Sequence, residues 1–572
     1  DWSSDVCSSD LMKKAIFFPI LVNFILVAAA FQLIMPTPSW SAQKKNTSVI
    51  RGVVASQYGM VSDARVRIAG SKDFTLTDIN GRYTLETPLF SSRAIKITAG
   101  KDGWFNNSVN ALPGNQNANI MLFPIPGKDN PNYRFISPAV CARCHNTLAK
   151  YWDKSKMAHT TSNVKVLNMF NGTDATGRVL SGPGYKIDNP DKDGNCVSCH
   201  APSAAVTQGG ARDIERALWS PKTEWDGISC DYCHKIRKVT KTSDTPSLFK
   251  SHLKRQTPLK GNSILVFGPY DDVVNTVMSA SYSPGFDKGS FCAACHSQIK
   301  KSDNKESWNR KQVYTDAEWQ SFDIGDDSVI PVQTTYQEWK TWQDGLPADD
   351  TNKGKRCQDC HMSWRKEMLP YDNYVIEGHA RDMWGTKRDP QNIRPHHFDG
   401  GTQIQLKTAL SMEIEGQIND NILDVNVFIT NTNGGHWIPT GDPMRNVMLV
   451  LSATDSDGKA LKKIKGEELP TWTGVGKIEE GNYAGLPGKM FSKVLKDKKG
   501  NINVPFWNAA EVAADTRIRP KTTVKLKYQF KIENLNDEPT AEAKLIYRPF
   551  MKSLAKVKKW ENNDILITET AW

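Results

Sequence analysis

The sequence predicts a multi-domain protein in which two β-sandwiches flank a core that is mainly α-helical and irregular. Three observations carry this reading. Residues 48–127 alternate apolar and polar side chains in short runs broken by turn residues. Residues 128–400 lose that alternation and hold five copies of one cysteine–histidine pattern. Residues 401–572 alternate again. A chain of 572 residues has room for roughly three or four domains of ordinary size.

The first eleven residues, DWSSDVCSSDL, fit no structural element and resemble a translated sequencing-adapter scar. Cys7 falls inside them and outside any pair. Residues 12–41 then run from Met12 through Lys13 and Lys14 into an apolar stretch from Ala15 to Met35, and on to small residues at Ser39–Ala42. A basic start, an apolar middle and a small-residue end form the layout of a secretory signal peptide. Cleavage is expected near Ser41 or Ala42; the competing reading is an uncleaved membrane anchor. The expected location is the periplasm or the cell exterior.

In the first β unit, SVIRGVVAS and DARVRIAG alternate in the strand period. FTLTDINGRYTLET reads as a hairpin, with Asp78, Asn80 and Gly81 supplying the turn. AIKITAGKDG and ANIMLFPI complete the set. Short, evenly spaced strands of this kind predict a β-sandwich.

The central region is defined by CARCH at Cys141, CVSCH at Cys196, CDYCH at Cys230, CAACH at Cys292 and CQDCH at Cys357. Ten of the 11 cysteines lie in these five copies. Two thiols at this spacing can each add to one vinyl group of a haem, and the following histidine is then placed to ligate the iron. Structural zinc would take its four ligands from paired knuckles and has no need of a histidine after every pair. A thioredoxin-like redox pair needs a βαβ context that is missing. Disulfide frameworks belong to short cysteine-rich chains. The expectation is therefore five c-type haems, held by Cys141, Cys144 and His145; Cys196, Cys199 and His200; Cys230, Cys233 and His234; Cys292, Cys295 and His296; and Cys357, Cys360 and His361. Five haems in about 270 residues leave too little chain for separate apolar cores, so the porphyrins must themselves act as core.

Each iron has a second axial position. Of 11 histidines, six lie outside the motifs: His159, His252, His379, His396, His397 and His436. His159 sits in YWDKSKMAHTT, a segment suited to a short helix over a haem edge. His396 and His397 sit in the turn-like RPHHFDGG, and His436 in NTNGGHWIPTG, where glycines let the backbone approach a flat cofactor. His159, one of the His396–His397 pair, and His436 are the favoured distal ligands. His252 and His379 have weaker surroundings. Methionine is the other common ligand, and Met278 precedes the fourth motif by fourteen residues.

In the last region ILDVNVFIT, VMLVLSATDSDG, TTVKLKYQFKI and AEAKLIYRPF read as strands of a second sandwich. This region has no CxxCH, and His436 ties it to the core.

The net charge is +11. Lysines and arginines are scattered rather than run together, which argues against nucleic acid. The excess can instead balance haem propionates, about ten negative charges for five haems, and steer acidic partners.

Two resemblances follow from these residues. RGVV, SDARVRIAG and TLTDINGRYTL look like the carboxypeptidase regulatory-like domain, a transthyretin-like β-sandwich. That implies a structural or interaction module without peptidase activity. ISPAVCARCH with KMAH, NCVSCHAP, GISCDYCHKI, FGPYDD with FCAACHSQ, and TTYQEWKTW with CQDCHM resemble the multihaem cytochromes c, including tetrahaem carriers that partner hydroxylamine oxidoreductase. The resemblance implies a pentahaem cytochrome c domain over 128–400. It supports His159, His397 and His436 as distal ligands and keeps Met278 as a candidate. Pentahaem nitrite reductases use CxxCK at the catalytic haem, whereas every motif here ends in histidine.

The leading expectation is electron transfer between a redox protein donor and acceptor outside the cytoplasm. The rivals are an oxidoreductase acting on a small nitrogen or sulfur compound at a five-coordinate haem, and a component of a membrane-associated or surface cytochrome assembly.

Overall fold

The computed structural model describes residues 47–572 apart from 89–92, 131, 180–181, 195, 208–212, 219–221, 238, 240, 243–254, 256–263, 302–312, 315–328, 365–392 and 537. Residues 12–41, read above as a signal peptide, lie outside the described residues. Among the described residues, no helix is long and apolar enough to cross a membrane.

The N-terminal region forms two four-stranded sheets. In one, Thr47–Ser56 pairs antiparallel with Arg82–Pro88 and parallel with Ile120–Met121. In the other, Arg65–Ile68 pairs with Ile95–Gly100, which pairs with Asn107–Ala111. Alternation aims Ile50, Val54 and Leu85 of the first sheet and Val66, Ile97 and Ala99 of the second into one buried cluster. Gly52 is required by close approach, because a Cβ there would lie 2.2 Å from the Ala118 carbonyl oxygen.

The expected hairpin over 74–87 forms differently. Its turn is present: Asp78 Oδ1 accepts from Asn80 N and Arg82 N, and Gly81 has φ +70°. The two arms part, however. Thr75–Leu76 joins Arg65–Ile68, whereas Arg82–Pro88 joins Thr47–Ser56. The turn was legible from local chemistry; the sheet that each arm joins was not.

The central region consists of short helical turns and loops. Helical turns carry the motifs: Pro138–Cys141, Cys196–His200, Cys230–Cys233, Ser290–Ala293 and Cys357–His361. Side-chain caps set two of them, Ser137 toward Ala139 N and Ser229 toward Tyr232 N. A further helix, Thr335–Gly345, carries TTYQEWKTW residues against the C-terminal region.

N-terminal and central segments share a sheet in which Phe123–Pro124, Trp104–Phe105, Met278–Tyr282 and Ile264–Gly268 lie side by side. Arg65 and Arg67 both grip the buried Asp271 carboxylate beside it, Arg67 at 2.7 Å.

The C-terminal region again has two sheets. Leu410–Asn419, Ile422–Asn431, Thr523–Lys531 and Lys462–Lys465 form one. Glu511–Asp515, Gly488–Lys496, Asn446–Thr454, Thr540–Arg548 and Ile565–Ala571 form the other. Ile422–Asn431 buries every second residue, and its Leu423, Val425 and Val427 pack with Val447, Leu449 and Leu545 of the facing sheet. Strand Gly488–Lys496 escaped the sequence reading because it is buried along almost its whole length and so lacks a clear alternation.

Candidate functional site

All fifteen cysteines and histidines of the five motifs line one continuous cavity of about 2190 Å³. The local reason is helical geometry. In a single turn, residues i, i+3 and i+4 share a face, so both thiols and the imidazole of each CxxCH can point the same way. The turn closes through His145 N to Cys141 O at 2.9 Å, His234 N to Cys230 O at 3.0 Å and His296 N to Cys292 O at 3.1 Å. None of the ten motif cysteines is in a disulfide.

The motifs touch one another through their thiols. Cys141 meets Cys230, Cys199 meets Cys295, and Cys292 meets Cys357. Cys233 lies within electrostatic reach of Cys295. The fourth motif therefore adjoins the second, third and fifth, and the third also adjoins the first.

Burial pushes the Cys196 thiol up to about 11 and the Cys233 thiol up to about 12. Such thiols are poor thiolate ligands and poor redox nucleophiles at neutral pH. A thioether has no proton to lose, so these surroundings suit a sulfur that is alkylated. Among the described residues, no three or more His, Cys, Asp or Glu side chains gather as a metal-ion site.

The imidazoles are equally suited to iron. Burial lowers His200, His234 and His436, and brings His296 and His396 down to about 4. The neutral ring is the ligating form. Several hold Nδ1 against a backbone carbonyl, which fixes the tautomer and presents Nε2. His234 Nδ1 meets Phe267 O at 2.6 Å, His396 Nδ1 meets Arg394 O at 2.9 Å, His436 Nδ1 meets Trp437 O at 3.1 Å, and His361 Nδ1 meets Asp399 O. Phe286 lies against the His234 ring, 5.3 Å between centres.

One pair is arranged as two axial ligands would be. The His361 and His436 ring centres are 6.1 Å apart and their planes differ by 8°. Two imidazoles sharing a metal through Nε2, at bonds of about 2.0 Å, have ring centres roughly 6 Å apart. The residues present thus fit covalently held haem in thiol chemistry, imidazole state and spacing.

The other expected ligands divide. His396 lines the cavity and feels the charge of His234 first and then His145. Met278 also lines it, at the start of strand Met278–Tyr282. His397, favoured by the resemblance, is turned away. Its Nε2 donates to Ser363 O at 2.9 Å and its Nδ1 accepts from Asp399 N at 3.2 Å, so both ring nitrogens are engaged. In the HisHis pair it is His396 that faces the cavity. His159 is exposed and donates Nε2–H to the Asp153 carbonyl at 2.7 Å, away from the cavity-lining set. Its neighbours Trp152 and Met157 do line the cavity, but the helix expected here ends at Asp153 and His159 lies in the turn beyond it. His252 and His379 lie outside the described residues.

The sequence reading missed the supporting carboxylates. Asp231, inside the third motif, takes Lys235 Nζ at 2.5 Å, Tyr133 Oη at 2.9 Å and Ile136 N at 2.9 Å. The i, i+4 spacing of Asp231 and Lys235 was the available clue. Glu338 is fully buried beside the His436 segment.

One family match agrees with this chemistry. Residues 140–235, spanning the first three motifs, match the family of cytochrome c554 and c-prime. Among solved structures, the chain is similar to a penta-heme cytochrome c552 from Thermochromatium tepidum, at 17% identity over 76% of this chain and 98% of that one, with a TM-score of 0.46. A type II cohesin–X-dockerin complex from Acetivibrio cellulolyticus matches at 11% identity over 14% of this chain and 58% of that one, with a TM-score of 0.12. Comparison with curated proteins gives no match. Residues 140–235 thus resemble the cytochrome c554 and c-prime family, and every CxxCH of the chain opens on one cavity.

Proposed function

We propose that the protein carries five c-type haems in this cavity and relays electrons between a redox protein donor and acceptor outside the cytoplasm. The observation that carries the reading is the convergence of all five motifs on one cavity, with neighbouring motifs in thiol contact. When bound, haem supplies the change of iron oxidation state. The chain supplies attachment at the ten cysteines, proximal ligands at His145, His200, His234, His296 and His361, and exclusion of water.

His361 and His436 would together hold the iron at the fifth motif, and His396 would ligate at the first or third. Met278 is a further candidate. The contacts between motifs support a path from the first through the third and fourth to the fifth, with the second branching from the fourth. Residues 48–127 act as a carboxypeptidase regulatory-like β-sandwich and residues 401–572 as a second sandwich. Both brace the haem domain at 128–400.

Stepwise potentiometric titration of the purified holoprotein tests this. The expectation is reversible reduction of all haem absorbance, and rapid exchange with a small redox protein. Steady consumption of nitrite or hydroxylamine, with a high-spin ferric signal that responds to either, would instead establish the oxidoreductase reading.

A further inference from the structure

The His436 segment is held by a device on another element. Helix Thr335–Gly345 presents Glu338 and Trp342, one turn apart, to residues 434–440. Glu338 Oε2 accepts from Trp437 N at 3.2 Å and Thr440 Oγ1 at 2.8 Å. Its Oε1 accepts from Arg517 Nη1 at 2.6 Å and Thr334 Oγ1 at 2.7 Å. Four donors therefore saturate one carboxylate whose side chain is 0% exposed. A buried carboxylate is tolerated only when so satisfied.

Trp342 adds a steric stop. A Cβ on Gly435 would lie 2.5 Å from the Trp342 ring. From the far side, Asn431 Nδ2 donates to the His436 carbonyl at 3.0 Å and to Ile518 O at 3.1 Å. The ligand-bearing residue thus sits between two anchored neighbours, and the anchor on the helix side is ionic.

We propose that Glu338 is the positioning residue for the His436 imidazole, and that its ion pair with Arg517 fastens the segment bearing that imidazole to helix Thr335–Gly345. The inference rests on the haem reading above. It concerns a side chain that touches neither iron nor porphyrin. Its role is to hold the Trp437 amide and the Thr440 hydroxyl where the imidazole between Gly435 and Trp437 meets its partner.

The test uses ferric EPR and haem quantification on the holoprotein, comparing His436→Ala and Glu338→Ala with the native chain. The expected result for both variants is the same: one low-spin signal is lost, one high-spin signal appears, and all haems are retained. A purely structural role for Glu338 would instead lower stability without singling out one haem. A fully low-spin Glu338→Ala protein alongside a high-spin His436→Ala protein overturns this inference and leaves the haem reading intact. A silent His436→Ala overturns the ligand assignment itself. If Glu338→Ala yields no folded protein, Glu338→Gln decides. Its amide can turn the carbonyl oxygen toward Trp437 N and Thr440 or toward Arg517 and Thr334, not toward both sides, so a mixture of spin states at one haem is expected. A wholly low-spin Glu338→Gln protein overturns the proposal.

Discussion

The imidazole rings of His361 and His436 lie 6.1 Å apart with planes within 8° of each other, though 75 residues and a change of region separate them in sequence. This relationship joins the fifth CxxCH to the C-terminal β region. Replacing His436 with methionine should keep that iron six-coordinate and raise its midpoint potential, because methionine ligation favours the ferrous state. Spectroelectrochemistry should show one haem moving positive while the others stay. An unchanged set of potentials would remove His436 from the ligand set.

The two histidines of RPHHFDGG should behave differently. His396→Ala is expected to convert one haem to high spin. His397→Ala should leave the haem spectrum unchanged but lose two hydrogen bonds, a cost of about 1–3 kcal/mol in stability. Visible and near-infrared spectra of the two variants check this. High spin in His397→Ala alone would reverse the assignment.

His159→Ala should be spectrally silent and nearly neutral for stability, since the side chain is exposed. Loss of a low-spin signal in that variant would restore His159 to the ligand set.

Asp271 ties the N-terminal sheets to the loop that precedes Met278. Its side chain is 1% exposed and is shared by Arg65 and Arg67. Asp271→Ala leaves two guanidinium groups without their shared acceptor. The expected loss is about 3 kcal/mol, at the lower end for a broken buried pair because both arginines are partly exposed. Urea titration of the holoprotein measures it, and a loss below about 0.5 kcal/mol would mean that the clasp is not structural.

Lys493 gives a pH dependence. Burial, with Arg517 adding to it, pushes its ammonium down to about 8 from 10.5. Below pH 8 both states are protonated and the fold carries the cost of a buried cation. Between pH 8 and 10.5 the folded state has released a proton that the unfolded state still binds, so unfolding free energy rises with pH. The rise from this group is about 3 kcal/mol. Comparing urea midpoints across that window for the native chain and Lys493→Met isolates it: the variant should lack this increment. Equal slopes would contradict the assignment.

Particular residues show what was legible in the sequence. The CxxCH spacing is a local pattern, so the fifteen motif residues could be read directly, and strands such as Ile422–Asn431 declare themselves by strict alternation. Distal ligands come from far along the chain and depend on side-chain direction. His396 and His397 are adjacent and chemically identical, yet one faces the cavity and the other caps backbone groups. Likewise, nothing in TTYQEWKTW distinguishes Glu338 from an exposed helical glutamate until the fold supplies Arg517 and Thr440. The hairpin over 74–87 shows the same limit, with its turn readable from Asp78 and Gly81 and its two arms paired to strands distant in sequence.

The central claim is five covalently attached haems in one chain. Intact mass measurement of the protein matured in a host that attaches c-type haem, taken after denaturation, tests it most directly. The account predicts a mass increment of five haems that survives unfolding and acid extraction. An increment of four or fewer, or haem released on denaturation, would contradict it.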